Sequence, residues 1–402
     1  MAGALSHIKV LDLSRILAGP WAGQMLADFG AEVIKVERPG CGDDTRGWGP
    51  PFVKDPDGNP TDAAYFHAAN RGKHSIAIDM TTPEGQALIK RLAAEVDVVI
   101  ENYKVGGLKK YGLDYDSLKT VNPGLIYCSV TGFGQDGPYA QRAGYDFMIQ
   151  AMGGLMSVTG DADGQPMKVG VALADVMTGL YACNGIQAAL LHRNETGVGQ
   201  HIDMALLDVQ VATLANQAMN YLVGGKPPVR LGNAHPNIVP YEAFPTADGH
   251  IILAVGNDAQ FARFCALAGA PELADNPAFV TNSLRVENRA QLTPLVAGLM
   301  RSHSSDWWLE NLELQGVPCG PINTLDKVFA DPQVKHRRMQ VDLPHPACGS
   351  VPGVASPVKF SHTPIEYNAA PPILGQHTDE VLASLGLSEA EITQLKALNV
   401  VA

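Results

Sequence analysis

The sequence predicts an α/β protein, with a large domain built on a parallel sheet and a smaller domain of mixed α/β type. Three observations predict it. Over roughly residues 1–135, short apolar, β-branched stretches alternate with helical patterns, and such alternation builds βαβ units whose parallel sheet is buried on both faces. The length of 402 residues exceeds the roughly 250–300 at which single cores stop growing. Around residues 225–240 (GKPPVRLGNAHPNIVP) the composition shifts to Pro, Gly and Asn, as in a linker or a functional loop.

Taken in order, residues 8–13 (IKVLDL) read as a short buried strand, 19–29 as a helix and 32–37 (EVIKVE) as a strand. Residues 83–94 form an amphipathic helix that Pro83 can open at its first turn. Residues 96–100 (VDVVI) and 125–130 (LIYCSV) are further strands. From 145 to 193 the pattern is mainly helical, broken by a loop at 159–166 (TGDADGQP). A hairpin then follows: YEAFPT, the turn Ala247-Asp248-Gly249, and HIILAV. Helical segments run on to about 315. The tail holds a strand-like VKF (358–360) and a last helix over 380–398, interrupted near Gly386. The expected organisation is residues 1–224 in the large domain, 225–325 in the small one, and 326–402 returning to the large one.

A hydrophobic share of 46% with 17% charged residues is that of an ordinary globular enzyme. The net charge of −12 argues against nucleic acid or an anionic membrane as the main partner, though it leaves room for a local basic pocket. The six cysteines are scattered, with no CxxC pair and no metal-ligand spacing with histidine, which fits reduced thiols. The N-terminal stretch has no signal-peptide pattern, and no segment approaches the roughly 20 apolar residues that cross a bilayer. A cytoplasmic location is expected, with no metal.

Ligands in parallel α/β folds sit beyond the carboxyl ends of the strands, so the strand ends are where functional side chains are expected. The first strand–turn–helix, DLSRILAGPWAG, lacks the GxGxxG fingerprint of dinucleotide binding, although Glu37 closes the second strand where a ribose-binding acid would lie. What survives is a pocket with Arg38 beside it, suited to a phosphate. The strand at 96–100 runs into Asn102-Tyr103-Lys104, with Lys109-Lys110 beyond; amide, aromatic and cation together suit an adenine and its phosphates, and equally a solvated loop. Asp175 lies where small residues lead into a long apolar helix. In a first turn, the helix dipole and free N–H groups would stabilise its charged form. Such a carboxylate suits nucleophilic catalysis and also suits capping; position alone does not separate the two. No GxSxG elbow, phosphate-binding lysine loop or HExxH pair occurs, and Trp307-Trp308 reads as packing.

Taken together, several segments resemble the class III CoA-transferases, the family of formyl-CoA and carnitine CoA-transferases. They are IKVLDLSRILAGP (8–20), AEVIKVERPGCGD (31–43), IENY (100–103), VTGFGQDGPYAQRAGYD (130–146), ADVMTGLYA (174–182), TGVGQHIDMALLD (196–208), GVPCGPIN (316–323) and ILGQHT (373–378). The resemblance implies a Rossmann-like large domain and a homodimer of two interlocked, ring-like chains. It puts Asp175 on the family's catalytic aspartate and Arg38 on its CoA-binding arginine. It also places Leu17, Ala18, Ile78, Asn102, Tyr103, Lys104, Lys110, Ala143, Gly144 and Tyr145 along the CoA channel. No permanently bound cofactor is implied, coenzyme A and acyl-CoA being substrates.

Formyl-CoA transferases have a glutamine where Leu17 stands, and a glycine-rich loop where residues 231–236 carry no glycine run, which argues against oxalate as acceptor. The stretches RAGYD, LGNAH and IVPYEAF are most similar to the succinate–hydroxymethylglutarate (glutarate) CoA-transferases, so a dicarboxylate acceptor is implied. Arg71, Arg142, Arg230 and His235 are the candidates to hold its distal carboxylate, arginine being suited to bidentate pairing. The same fold serves α-methylacyl-CoA racemases, but their proton-exchanging histidine is replaced here by Tyr145, and a phenol is a poor base at neutral pH. A non-catalytic CoA-binding member is a further alternative, against which the intact Asp175 weighs.

Overall fold

The computed structural model describes residues 3–402. Its strands, in chain order, are β1 (Lys9–Asp12), β2 (Glu32–Glu37), β3 (Phe52–Lys54), β4 (Pro60–Ala63), β5 (Lys73–Ala77), β6 (Val98–Glu101), β7 (Ile126–Thr131), β8 (Gln200–Ala205), β9 (Tyr241–Pro245), β10 (His250–Ala254), β11 (Cys319–Pro321), β12 (Gln340–His345) and β13 (Gly349–Val354). Six of them form one sheet in the order β5-β2-β1-β6-β7-β8, with every neighbouring pair parallel. Strand alternation turns Val10, Val33, Val98 and Ile126 to one face and Leu11, Ile34, Val99 and Tyr127 to the other. The helices Ala18–Asp28 and Leu173–Thr196 cover the first face through Ala22, Leu26, Ala182 and Ile186. The second is covered by Pro83–Glu95 and by the last two helices, Thr378–Ser384 and Glu389–Ala397, through Leu88, Leu92, Leu382 and Ile392. Thr82 caps the Pro83 helix by accepting from Gly85 N–H, and proline takes its first position.

Two sheet strands escape the sequence pattern. β5 begins Lys73-His74, and the Lys73 ammonium is fully buried because it donates to Asp12 (2.8 Å), to the Pro20 carbonyl (2.9 Å) and to Asn70 (2.9 Å). β8 lies at the sheet edge with Gln200, His201 and Asp203 exposed. Conversely, residues 358–360 form no strand: Val358 and Phe360 pack against the core, Phe360 edge-on to Phe29.

The chain divides into two units, the first holding residues 3–154, 170–214 and 332–402, the second 155–169 and 215–331. The second unit thus begins earlier than the expected 225–325 small domain and includes the separate segment 155–169. That second unit is built on the antiparallel sheet β11-β10-β9, with β9 and β10 forming the expected hairpin. Its core gathers Phe244, Leu253, Phe261, Phe264 and Trp308. Trp308 is wholly buried, its indole N–H donating to the Met300 carbonyl at 2.7 Å, so Trp307-Trp308 is packing.

Candidate active site

From β1 the chain winds outward through β2 to β5, then returns to add β6 on the other flank. The switch in direction falls between β1 and β6, and the crevice beyond their carboxyl ends is where open parallel sheets bind ligands. A cavity of about 720 Å³ opens there. Leu17 and Ala18 reach it from the start of the helix after β1, Arg38 from just after β2 and Ile78 from just after β5. Asn102, Tyr103, Lys104 and Lys110 come from the segment after β6, and Ala143, Gly144 and Tyr145 from that after β7. Every residue assigned to the CoA channel by resemblance therefore lines one cavity, with Asp175 and Arg142. Gly132 and Gly144 let two backbones cross at this wall; a Cβ on Gly144 would lie 2.3 Å from the Gly132 Cα.

Asp175 occupies the first turn of the Leu173–Thr196 helix, but it does not cap it. Asp146 Oδ1 accepts from the N–H of Ala174 (2.8 Å) and of Asp175 (3.4 Å), while its Oδ2 accepts from Gln150 (2.8 Å). The capping role thus falls to a second aspartate, 29 residues upstream in sequence. The Asp175 side chain makes no hydrogen bond or ion pair among the described residues. Burial first, and the charge of Asp146 second, push its carboxyl up to about 7. This reverses the expectation that the helix start would favour its charged form, because the amides that would have done so are engaged by Asp146. Gly179, one turn later, sets the helix in place: a Cβ there would lie 2.8 Å from the Ala18 carbonyl oxygen. The two helices therefore meet at backbone contact, next to the wall that Ala18 contributes.

The cavity is cationic in an acidic chain. Its lining carries Arg15, Arg38, Lys104, Lys110 and Arg142 against Asp44, Asp79 and Asp175, and Asp44 is taken by Arg15 at 2.7 Å. Arg38, Lys104 and Lys110 are exposed and form no ion pair among the described residues. Such a rim suits phosphates. Arg142 lies over the rings of Tyr139 (4.5 Å) and Phe133 (5.3 Å) with no carboxylate partner among the described residues.

The other carboxylate-binding candidates are placed differently. Arg71 is buried and clasps both oxygens of Asp28 at 2.8 Å, with the Val354 carbonyl at 2.7 Å; it is a structural clamp outside the cavity. Arg230 and His235 belong to the second unit. Arg230 donates to the carbonyls of Asp161, Ala162 and Gly164, pinning the 159–166 loop. His235 Nδ1 accepts from Asn237 N–H, and burial, then Arg289, lowers its pKa. Glu37 is no ribose acid: it is buried, bound through both oxygens by Arg46 at 2.7 and 2.8 Å.

Sequence reasoning missed Asp146, Gly179 and Asp43. Asp146 and Gly179 lie within the segments 130–146 and 174–182, but neither capping at such separation nor a helix crossing leaves a local pattern. Asp43 lies under the cavity wall, wholly buried against Lys35 at 2.9 Å. Burial raises its pKa, but Lys35 and the Thr45 hydrogen bonds outweigh that and hold it at about 2.

Comparison with known proteins defines the class. The profile of CoA-transferase family III matches residues 5–378, and the chain belongs to that family; it is a CoA-transferase. Among its relatives, the succinate–glutarate CoA-transferase of Agrobacterium fabrum is 56% identical over 389 residues, 97% of each chain. The human succinyl-CoA:glutarate CoA-transferase is 48% identical over 380 residues, covering 94% of this chain and 85% of that one. The crystal structure of a CaiB/BaiF family protein from Brucella suis superposes with a TM-score of 0.85 at 55% identity, covering 96% of this chain and 100% of that one. The racemase alternative finds no support among these relatives.

Proposed function

We propose that the protein transfers CoA from succinyl-CoA to a dicarboxylic acid, glutarate or a close analogue, with Asp175 as nucleophile. The observation that carries the nucleophile is a carboxylate without a partner, set in a cation-lined cavity at the end of the parallel sheet. An ion pair would have lowered its reactivity; burial and a neighbouring acid raise its basicity instead. The acceptor class rests on the names of relatives that match nearly end to end.

An ionised Asp175 oxygen attacks the thioester carbonyl; the C–S bond breaks, leaving CoA thiolate and a mixed anhydride. The thiolate then attacks the Asp175 carbonyl carbon, releasing succinate and leaving an aspartyl-CoA thioester. The acceptor carboxylate attacks that thioester, and the same two steps run in reverse. Every stage keeps one activated acyl bond, so no other energy source enters. The first N–H groups of the Ala18–Asp28 helix have no intrahelical acceptor and border the cavity at Ala18; they are the candidates to hold the oxyanions. The exposed cations Arg38, Lys104 and Lys110 suit the nucleotide phosphates, and Arg142 the distal carboxylate. The working form in this reading is an interlocked homodimer in the cytoplasm, with CoA passing through as substrate rather than resident cofactor. No helix among the described residues is long and apolar enough to cross a membrane.

Asp175→Ala should cut succinyl-CoA-dependent exchange by at least ~10³-fold, as expected for a nucleophile, while CoA binding by calorimetry stays within a few-fold. Hydroxylamine quenching of the working enzyme should mark the Asp175 peptide in mass spectra. Retained turnover by the variant, or an unmarked peptide, removes the mechanism.

A further inference from the structure

Ile16, in the turn after β1, has φ +74°. A β-branched residue seldom occupies this left-handed region, since its side chain crowds the backbone there. The neighbouring groups show what holds it. Asn102, the first residue after β6, bridges both ways to the preceding residue: Arg15 N–H donates to Asn102 Oδ1 at 2.9 Å, and Asn102 Nδ2 donates to the Arg15 carbonyl at 2.6 Å. Ile16 N–H donates to both oxygens of Asp43 at 3.2 Å. The buried Lys35 ammonium joins the Ser14 carbonyl (2.8 Å) to Asp43 (2.9 Å). Asp43 is itself seated by its N–H donating to Glu37 at 2.9 Å. Residues 14, 15 and 16 are thus each tied down through the backbone.

The placement matters as much as the number of ties. β1 and β6 are the strands that flank the switch in sheet direction, so the Asn102–Arg15 bridge staples together the two lips of the crevice. The residue after Ile16 is Leu17, whose carbonyl accepts the first helical bond, from Trp21 N–H at 2.7 Å. A change of φ at position 16 would therefore swing the helix start, and with it the stretch of wall nearest the Asp175 helix.

We propose that Asn102 and Asp43 are positioning residues that clamp the Arg15–Ile16 peptide in its left-handed turn, so that Leu17 and Ala18 are held in the reactive wall. Asn102 serves the site through the backbone of Arg15 rather than through the nucleotide. What that wall does rests on the CoA-transfer reading above; the clamp does not.

The test uses the full-length protein carrying Asn102→Ala, Ile16→Gly, or both, assayed with succinyl-CoA and glutarate. Asn102→Ala should lower kcat by ~10–100-fold, as for lost orientation, and change the CoA dissociation constant by less than ~3-fold. Glycine takes a positive φ without restraint, so in the Ile16→Gly background the same substitution should cost less than ~3-fold, a coupling seen only between residues acting together. Amide exchange at Leu17 and Ala18 should quicken in Asn102→Ala. A CoA affinity lowered more than ~10-fold with kcat unchanged, or an equal loss whichever residue stands at 16, makes Asn102 a ligand contact and overturns the proposal. If the unaltered protein exchanges no acyl groups, the transfer reading fails, and amide exchange alone decides the clamp: unchanged protection sinks it. If Asn102→Ala does not fold, Asn102→Ser, too short to bridge both Arg15 groups, is read the same way.

Discussion

Asp175 and Asp146 stand at the same helix start with opposite assignments. Asp146 receives the amides that a helix N-terminus offers to an anion, and Asp175 is left beside that charge in a largely desolvated position, which lifts it to about 7. The free enzyme should therefore lose kcat/KM as pH falls through about 7, the acid limb reporting Asp175. Asp146→Asn keeps an acceptor oxygen for the amides and removes the charge, so the limb should move to lower pH, by ~0.5–1 unit; a limb that stays put assigns it to another group. Stability carries the same signature. Because the folded-state pKa lies above the 3.8 of an unperturbed aspartate, the native state binds the proton more tightly. Asp175 is then neutral and without cost below about pH 4; it destabilises increasingly as pH rises from there to about 7, and the cost levels off above that. Asp175→Asn should raise the melting temperature at pH 8, by the equivalent of ~1–3 kcal/mol, and lose that advantage near pH 4.

At the scale of elements, the crossing of the Ala18–Asp28 and Leu173–Thr196 helices sets the reactive geometry. Gly179 leaves no room for a methyl group, its would-be Cβ lying 2.8 Å from the Ala18 carbonyl and 2.9 Å from the Trp21 Cβ. Both contacts are with unyielding atoms. Gly179→Ala should destabilise by ~1–3 kcal/mol, as overpacking does, and reduce kcat more than it changes KM; a variant of native activity and stability would show that the helices can part freely. Nothing in ADVMTGLYA signals that contact, because the partner lies some 160 residues away in sequence. The strands at 8–13, 32–37, 96–100 and 125–130 were legible because short, β-branched stretches alternate there with helical patterns. β5 was not, since KHSIA hides its burial behind a lysine that the Asp12 carboxylate, the Pro20 carbonyl and Asn70 together make tolerable. The cavity was legible as a set of strand ends and motifs. Its electrostatics were not: the Asp175 shift comes first from burial and second from Asp146, and sequence spacing reveals neither the depth of the site nor that neighbour.

At the scale of the whole molecule, the helix Ala215–Gly224 has no buried residue, and Met219, Tyr221, Leu222 and Val223 on it are 49–80% exposed. Exposed apolar side chains of this size suit association, which the proposed homodimer would require. Light scattering should return twice the 42.7 kDa chain mass. Linked rings cannot part without one opening, so that mass should persist on dilution to nanomolar concentration; a monomer appearing there would exclude interlocking. The division of the chain has a different consequence. The backbone passes between the units at 154/155, 169/170, 214/215 and 331/332, so neither unit corresponds to one uninterrupted stretch of coding sequence. Recombination with a related gene at a single pair of crossovers would exchange the larger piece, 215–331, and leave its companion, 155–169, behind in a foreign context. The anchoring of that short piece by Arg230 would then have to be re-matched before a chimera could behave as either parent.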